Sequence, residues 1–242
     1  MKNNIAILGR GISLKSYRKF SHLFEKIYIV GNFYKEIKKI GIKHFKDKEI
    51  IHVVSRTDRP LRGNLYKKLN FTKIITLYYD KELLSSKLIK KFKKENLEIE
   101  RLPKYMESRG YPSAPRDIIL EYSKKYDNYK DLCKFLRNNF STEIAEGEKN
   151  SNRSHYWPTT GIYAFDLCLV ENQSKEIYLF GIDCFQTLSY VIYNFDFKTA
   201  RNTDATKLMF YHIEELVKEF PSTNFYSSSQ IVKLNYPNWS MI

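Results

Sequence analysis

The sequence predicts an α/β protein with a Rossmann-like, mostly parallel sheet and helices on both faces. Short apolar runs rich in β-branched residues alternate with longer stretches in which apolar residues recur at helical spacing, and this order produces a parallel sheet. A chain of 242 residues can bury a sizeable core, and 43% hydrophobic with 15% aromatic residues excludes wholesale disorder. No repeat or linker divides the chain, so we treat residues 1–242 as a single domain.

The first half of the chain contains five predicted strands. Each is a short apolar run that ends in a turn residue or a charged segment. They are Asn4–Leu8, Lys26–Val30, residues 50–55, residues 73–78 and residues 97–101. A glycine turn after the first strand leads into a helix that ends near Phe24, and a short helix follows Gly31 and Asn32. Apolar residues at helical spacing predict a lysine-rich helix over residues 81–94.

The second half begins irregularly and then returns to alternation. Proline and glycine interrupt residues 103–153, although residues 122–138 have a polar helical pattern. Regular structure resumes with a small-residue turn, an apolar helix and the strand Glu176–Phe180. An irregular aromatic segment then precedes a helix at residues 204–220 and a last strand at Asn224–Ser227. The α/β pattern therefore extends to the end of the chain.

The chain carries a formal net charge of +14, and its lysines concentrate in residues 35–48 and 81–94. Because apolar residues recur at helical spacing through both segments, these lysines are expected to cover the outer faces of amphipathic helices. Attraction to an anionic membrane or glycolipid surface is an open alternative. Nucleic-acid binding is a second alternative, which we do not expect.

Composition also bears on the compartment and on cofactors. No apolar run reaches the roughly 18 residues of a membrane span, and the first residues lack a signal peptide's cleavage region. We therefore expect a cytoplasmic protein, with peripheral contact at the inner membrane left open. The three cysteines have no metal-ligand spacing, the five histidines are scattered, and no Asp-x-Asp pair is present. We expect no metal and no other cofactor, and we expect His212 to be a core residue.

Gly9 and Gly11 follow the first strand and have two functional interpretations. A dinucleotide fingerprint needs a third glycine where this chain has Leu14, and an acid at the end of the second strand where it has a Gly-Asn pair. That interpretation fails. A looser nucleotide-phosphate turn fits better, with Ser13 capping the following helix and Arg10 adding positive charge. A tight turn without a ligand is the alternative.

A second ligand-facing corner is predicted further along the chain. Thr159, Thr160 and Gly161 stand just before an apolar run, so hydroxyls and unpaired backbone N–H groups lie at a helix start, which is an anion site. The strand Glu176–Phe180 delivers Asp183 to its carboxyl end, where open α/β sheets bind ligands. Asp183 can hold a sugar hydroxyl or cap the next turn. The two corners together predict a pocket for a phosphorylated or carboxylated small molecule.

Five motifs in order resemble the bacterial sialyltransferases of glycosyltransferase family 42 and, more faintly, the animal sialyltransferases. The opening AILGRGISLK is similar to the family's nucleotide-binding strand-turn-helix, and Asn32 lies within a residue of its second donor-binding asparagine. Thr159-Thr160-Gly161 matches a donor-site Thr-Ser-Gly, and KEIYLFGIDCFQ is the longest match. Residues 193–196 and 202–204 match anchors on either side of the family's lid.

The resemblance implies a variant GT-A type glycosyltransferase with a short lid at about residues 186–202. Its reaction would be the inverting, metal-independent transfer of a nonulosonic acid, sialic acid or a Kdo-like sugar, from a CMP-activated donor to a sugar hydroxyl. The acceptor would be a surface glycan or glycolipid, as in bacterial lipopolysaccharide biosynthesis, and a homo-oligomer is left open. The implied donor-binding residues are Gly9, Arg10, Gly11, Ser13, Asn32, Thr159, Thr160, Gly161, Asp183 and Gln186.

The chain departs from the family at two catalytic positions. The first of the family's two phosphate-binding tyrosines is Phe185 here, and the position of its histidine base is Thr199. Tyr193 matches the second tyrosine and is implied to assist departure of the phosphate, although its ring can equally pack within a flap. We take His155 as the candidate base, with a partly buried loop histidine as the alternative. A non-catalytic nucleotide-sugar or RNA-binding protein is therefore the second hypothesis.

Overall fold

The computed structural model describes residues 4–56, 68–78, 98–101, 125, 160–172, 176–184 and 203–242. These residues build one eight-stranded sheet in which every pair of neighbouring strands is parallel. The strands are β1 (Asn4–Leu8), β2 (Lys26–Val30), β3 (Glu49–Arg56), β4 (Phe71–Tyr78), β5 (Glu98–Arg101), β6 (Glu176–Phe180), β7 (Asn224–Ser227) and β8 (Trp239–Met241). Their order in the sheet is β5-β4-β3-β2-β1-β6-β7-β8. The predicted α/β fold with a parallel sheet is confirmed.

The helices are short near the amino terminus and longer in the second half. They are a 3-10 helix (Ile12–Ser16), α1 (Tyr17–Phe20), a second 3-10 helix (Ser21–Leu23), α2 (Tyr34–Ile40), a third 3-10 helix (Ile42–His44), α3 (Thr160–Glu171) and α4 (Thr203–Glu219). None of these described helices combines the length and the apolar composition that a membrane crossing requires.

Two elements differ from the sequence-based expectation. The single helix expected after β1 is divided into three short segments, and the hydroxyl of Ser21 donates to the Arg18 carbonyl at 3.3 Å, a side-chain bond that competes with the helical backbone ladder. Strand β8 was not predicted because it has only three residues, of which Trp239 alone is buried, so it has no readable alternation. The predicted helix at residues 81–94 lies outside the described residues, as does the one at residues 122–138 except for the single residue 125.

Alternating side chains divide the core into two layers. Ile5 and Ile7 of β1 face the layer that contains α3 and α4, which we call the α3 face. Ala6 and Leu8 face the layer that contains α1 and α2, which we call the α2 face. Successive strand residues point to opposite faces, so a strand of continuous apolar residues is buried on both sides.

Strand β1 marks the point at which the strand order reverses. It lies between β2 and β6, and the chain runs from β1 to β5 on one side before β6 returns to the other. The turn after β1 leads to α1 on the α2 face, whereas the next described helix after β6 is α4 on the α3 face. In open α/β sheets this divergence leaves a crevice at the carboxyl edge of the strands, where ligands bind. We call this the switch crevice.

Candidate functional site

The turns after β1 and β6 are bonded to each other at the switch crevice. The amide of Gly9 donates to the Phe180 carbonyl at 2.7 Å, and the amide of Gly11 donates to the Gly181 carbonyl at 2.9 Å. A Cβ atom at Gly9 would lie closer than 3.0 Å to the Gly181 backbone, and one at Gly11 would lie equally close to the side chain of Asp183. Both glycines are therefore required by contact between the two turns, and their contact with a nucleotide stays a prediction.

Asp183 occupies the helix start that follows β1. Its Oδ2 accepts the Ser13 amide at 3.1 Å and its Oδ1 accepts the Ser13 hydroxyl at 2.5 Å, while the hydroxyl oxygen of Ser13 accepts the Gly181 amide at 2.9 Å. All of these groups are buried. The prediction that Ser13 caps the helix is wrong, because the N-cap residue is Gly11 and no side chain forms the usual cap bond. The carboxylate of Asp183 thus supplies the negative charge that this helix start favours.

Ser228 extends this network to the neighbouring strand. Its hydroxyl lies 3.1 Å from the Ser13 carbonyl and 3.2 Å from the Leu179 carbonyl, and its amide donates to the same Leu179 oxygen at 3.0 Å. The ends of β1, β6 and β7 are therefore joined by buried serine hydroxyls. The sequence carries a signal for this in the serine run after β7, which pattern reasoning did not use.

Arg10 connects the turn after β1 to α2. Its Nε donates to Oε1 of Glu36 at 2.9 Å, and the Glu36 side chain is fully buried while a third of the Arg10 side chain is exposed. Glu36 lies in the first turn of α2, where a carboxylate is favoured by the helix dipole. The charge expected to face a phosphate is therefore paired with a buried carboxylate, and sequence reasoning missed Glu36.

The turn after β2 carries Asn32 beside the switch crevice. Gly31 adopts a left-handed backbone with φ +63°, its amide donates to the Val53 carbonyl at 2.8 Å, and its carbonyl accepts the Phe33 amide at 3.0 Å. Apart from its two chain neighbours, no described residue lies within 4 Å of where a Gly31 Cβ would stand. Within the described residues, the backbone at Gly31 is therefore not covered on that side.

His52 of β3 supports the same turn from the α2 face. Its ring is fully buried, and Nε2 lies 2.6 Å from the Gly31 carbonyl oxygen. Burial lowers the pKa of His52 to about 4, against the opposing effect of the bond to Gly31, so the ring is neutral near pH 7. Sequence reasoning counted His52 among the scattered histidines, although one polar residue inside the apolar run IIHVV is a readable signal.

The predicted second corner lies at the same edge of the sheet. Helix α3 begins at Thr160 and Gly161, has no acidic residue in its first turn, and ends at Glu171 shortly before β6 starts beside Asn4. Since β6 starts at the amino edge of the sheet, α3 runs from the carboxyl edge back to it. The starts of α3 and of the 3-10 helix after β1 thus share the carboxyl edge and lie on opposite faces of the sheet.

Several predicted residues lie outside the described part of the chain and stay predictions. They are His155, Thr159, Phe185, Gln186, Tyr193 and Thr199, together with the lid at residues 186–202. His212 is buried within α4, as expected for a core residue, and Cys168 and Cys184 are buried thiols. Within the described ranges, no three histidine, cysteine or acidic side chains cluster as a metal site would require.

The architecture is a parallel α/β sheet with helices on both faces, and its fold resembles the GT-A-like fold of solved glycosyltransferase structures. It is similar to the crystal structure of monomeric CstII, with a TM-score of 0.50 and 18% sequence identity over 98% of this chain and 87% of that one. The sialyltransferase CST-II in complex with a trisaccharide acceptor and CMP aligns with a TM-score of 0.47 and 16% identity over 96% of this chain and 89% of that one. No protein-family model and no curated protein sequence matches the chain. At these identities the likeness is one of fold.

Proposed function

We propose that this protein is an inverting, metal-independent glycosyltransferase that moves a nonulosonic acid from a CMP-activated donor to a sugar hydroxyl. The observation that carries the proposal is the contact between the turns after β1 and β6 at the switch crevice, next to the open turn at Gly31 and Asn32. Ligands of open α/β sheets bind at such a crevice. The fold shared with CstII and the five ordered motifs support the same assignment.

The proposed donor site divides between the two faces of the carboxyl edge. The nucleoside lies along the turns that contain Gly9, Arg10, Gly11 and Ser13 and over Asn32, whose side-chain amide can both donate and accept hydrogen bonds. The phosphate lies at the start of α3, where Thr159, Thr160 and Gly161 would bind it through hydroxyls and amides; the first turn of this described helix contains no acidic residue. Asp183 acts by holding Ser13, and Gln186 completes the donor-binding set.

The proposed chemistry is a displacement at the anomeric carbon. The acceptor hydroxyl attacks that carbon, the bond to the phosphate oxygen breaks, CMP leaves with the bonding electrons, and the hydroxyl proton passes to a base. We assign the base to His155 and assign to Tyr193 a phenolic hydrogen bond to the leaving phosphate. A surface glycan or glycolipid at the inner face of the membrane is the proposed acceptor, with the lysine-rich helices as the surface that contacts anionic lipid.

Ligand-dependent thermal unfolding tests the proposal. A ligand that binds only the folded state raises the melting temperature by mass action. We expect CMP to raise it and UDP, GDP and NAD to leave it unchanged at the same concentration. A response to NAD alone, or to RNA alone with a steep dependence on salt, would overturn the assignment. Binding of CMP without turnover of any CMP-activated nonulosonic acid would favour the non-catalytic alternative.

The identity of the base is tested separately. Loss of one general base lowers turnover by about 10²–10⁴-fold. We expect His155→Ala to lower turnover at least about tenfold while the affinity for CMP stays unchanged. Unchanged turnover would move the search to Tyr193 and Asp196.

A further inference from the structure

A histidine occupies an unusual place in the middle of β3. In register, His52 stands beside Ile29 of β2 and Ile74 of β4. Both isoleucines belong to the core layer of the α2 face. The ring packs edge-on against Phe71, with centroids 6.2 Å apart. A fully buried polar ring among aliphatic neighbours destabilises the fold unless its nitrogens are hydrogen-bonded. The hydrogen bonds of the His52 ring must therefore offset the cost of burying it.

The bond to Gly31 defines which nitrogen of the His52 ring carries a hydrogen. A carbonyl oxygen only accepts, so Nε2 of His52 carries the hydrogen that it donates to Gly31 at 2.6 Å. Because His52 stands beside Ile29, its side chain reaches two residues along β2, to the first residue after that strand. The Gly31 carbonyl is thereby held by the ring from the sheet and by the Phe33 amide from the start of α2.

The geometry of one peptide bond transmits this constraint to Asn32. The carbonyl of Gly31 and the amide of Asn32 belong to the same planar trans peptide, so they point in opposite directions. Fixing the carbonyl therefore fixes the direction of the Asn32 amide and the base of its side chain. Without the ring, the left-handed Gly31 could rotate this peptide at little cost, since glycine occupies several backbone regions with similar energy.

We propose that His52 is a positioning residue that holds the Gly31–Asn32 turn in the shape that binds the nucleotide. The nucleotide part of the inference rests on the proposed function, whereas the support of the turn does not. His52 acts from inside the sheet core through its bond to the Gly31 carbonyl, and this role needs no contact with the ligand. The neutral state of the ring keeps the Nε2–H donor and leaves no buried charge beside the turn.

Two substitutions at this position separate positioning from folding. In His52→Gln the side-chain amide can place an N–H donor near the position of Nε2, whereas His52→Leu has a similar volume and no donor. The matched control is His44→Leu, which removes another histidine hydrogen bond, 2.8 Å from Nδ1 to the Ser21 hydroxyl, away from the switch crevice. Each variant is examined by hydrogen exchange at the amides of residues 31–34 and by titration with CMP.

We expect the amides of residues 31–34 to exchange at least about tenfold faster in His52→Leu and at nearly the original rate in His52→Gln. The CMP affinity should fall at least about tenfold in His52→Leu, recover in His52→Gln and stay unchanged in His44→Leu. Equal exchange rates in His52→Leu and the original protein would overturn the positioning role. If the original protein binds no CMP, the proposed function fails, and the exchange rates still decide whether His52 holds the turn.

Discussion

The hydroxyl of Ser13 donates to Oδ1 of Asp183 at 2.5 Å, although 170 positions separate the two residues in sequence. The bond joins the turns that follow the two strands between which the strand order reverses, so the protein's own residues form the floor of the switch crevice. It also explains why the first helix start is not an open anion site in this protein, since a carboxylate of the chain already accepts its amide. The start of α3 remains the predicted anion site at this edge.

The buried bonds of Asp183 are expected to stabilise the fold. In Asp183→Asn the amide NH2 group replaces one of the two oxygens that face Ser13: in place of Oδ2 it meets the Ser13 backbone N–H, and in place of Oδ1 it deprives the Ser13 hydroxyl of its acceptor. We expect a loss of about 1–3 kcal/mol of unfolding free energy, measured by urea denaturation. The control is Asp47→Asn, an exposed position with φ 60°, where asparagine fits the left-handed backbone and the change stays within about 0.5 kcal/mol. Equal unfolding curves for both variants would show that the Ser13 contact contributes nothing.

Gly9 and Gly31, two glycines at this edge, are expected to respond differently to substitution by alanine. In Gly9→Ala the new Cβ meets the backbone of Gly181, which cannot move aside without breaking the contact between β1 and β6. In Gly31→Ala it meets no described residue, so the expected effect is the strain of the left-handed backbone, about 1 kcal/mol. In thermal unfolding, the melting temperature of Gly9→Ala should therefore be well below that of Gly31→Ala. The reverse order would refute the proposed contact between the two turns.

The pair between Arg10 and Glu36 is expected to matter more than an exposed pair. Glu36→Ala leaves the partly buried guanidinium without the oxygen that its Nε contacts, and we expect a loss of about 1–3 kcal/mol of unfolding free energy. The control is Glu49→Ala, which removes the more exposed pair with Lys26 at 3.3 Å and is expected to lose less than about 1 kcal/mol. Chemical denaturation of both variants measures the two losses of unfolding free energy. A smaller loss for Glu36→Ala than for Glu49→Ala would argue against a stabilising pair between Arg10 and Glu36.

Acidification is expected to destabilise the protein through His52. The unfolded chain binds a proton near the ordinary histidine pKa of 6.5, whereas the folded chain does so only near the lowered pKa of about 4. The contribution of the neutral His52 ring to the unfolding free energy is therefore fully present above pH 6.5 and is lost as the pH falls from 6.5 towards 4. Between pH 7 and pH 4.5 the loss amounts to about 2–3 kcal/mol. Urea unfolding should show this loss in the original protein and a correspondingly smaller one in His52→Leu.

Local patterns in the sequence were sufficient for most of the sheet. Strands β1, β2, β6 and β7 have the predicted bounds. The first three contain runs of four apolar residues, and β7 is a short aromatic pair between polar residues. Strand β8 could not be predicted, because three residues with one buried side chain have no period. The prediction that the turns after β1 and β6 lie at one edge of the sheet is confirmed, since the carboxyl ends of parallel strands share one edge. Ligand binding at the two corners stays a prediction.

The contacts inside the site could not be read from local patterns. Asp183 was expected to hold a ligand or cap its own turn, and its bond to Ser13 depends on the pairing of β1 with β6. Glu36 stands in a lysine-rich segment and carries no local sign of a role, yet it is fully buried and paired with Arg10. In both cases the partner is distant in sequence, so only the three-dimensional arrangement identifies it.

A titration of isotope-labelled protein with CMP, followed through backbone amide resonances, tests the central claim most directly, with UMP as the matched ligand. We expect CMP to shift the amides of Gly11, Asn32 and Gly161 at the carboxyl edge and to leave Lys26 and Glu176 at the amino edge unchanged. UMP, which lacks the cytosine amino group, should produce smaller shifts at the same concentration. Absence of any shift with CMP, or shifts confined to the amino edge, would contradict the assignment of the switch crevice as a cytidylyl site.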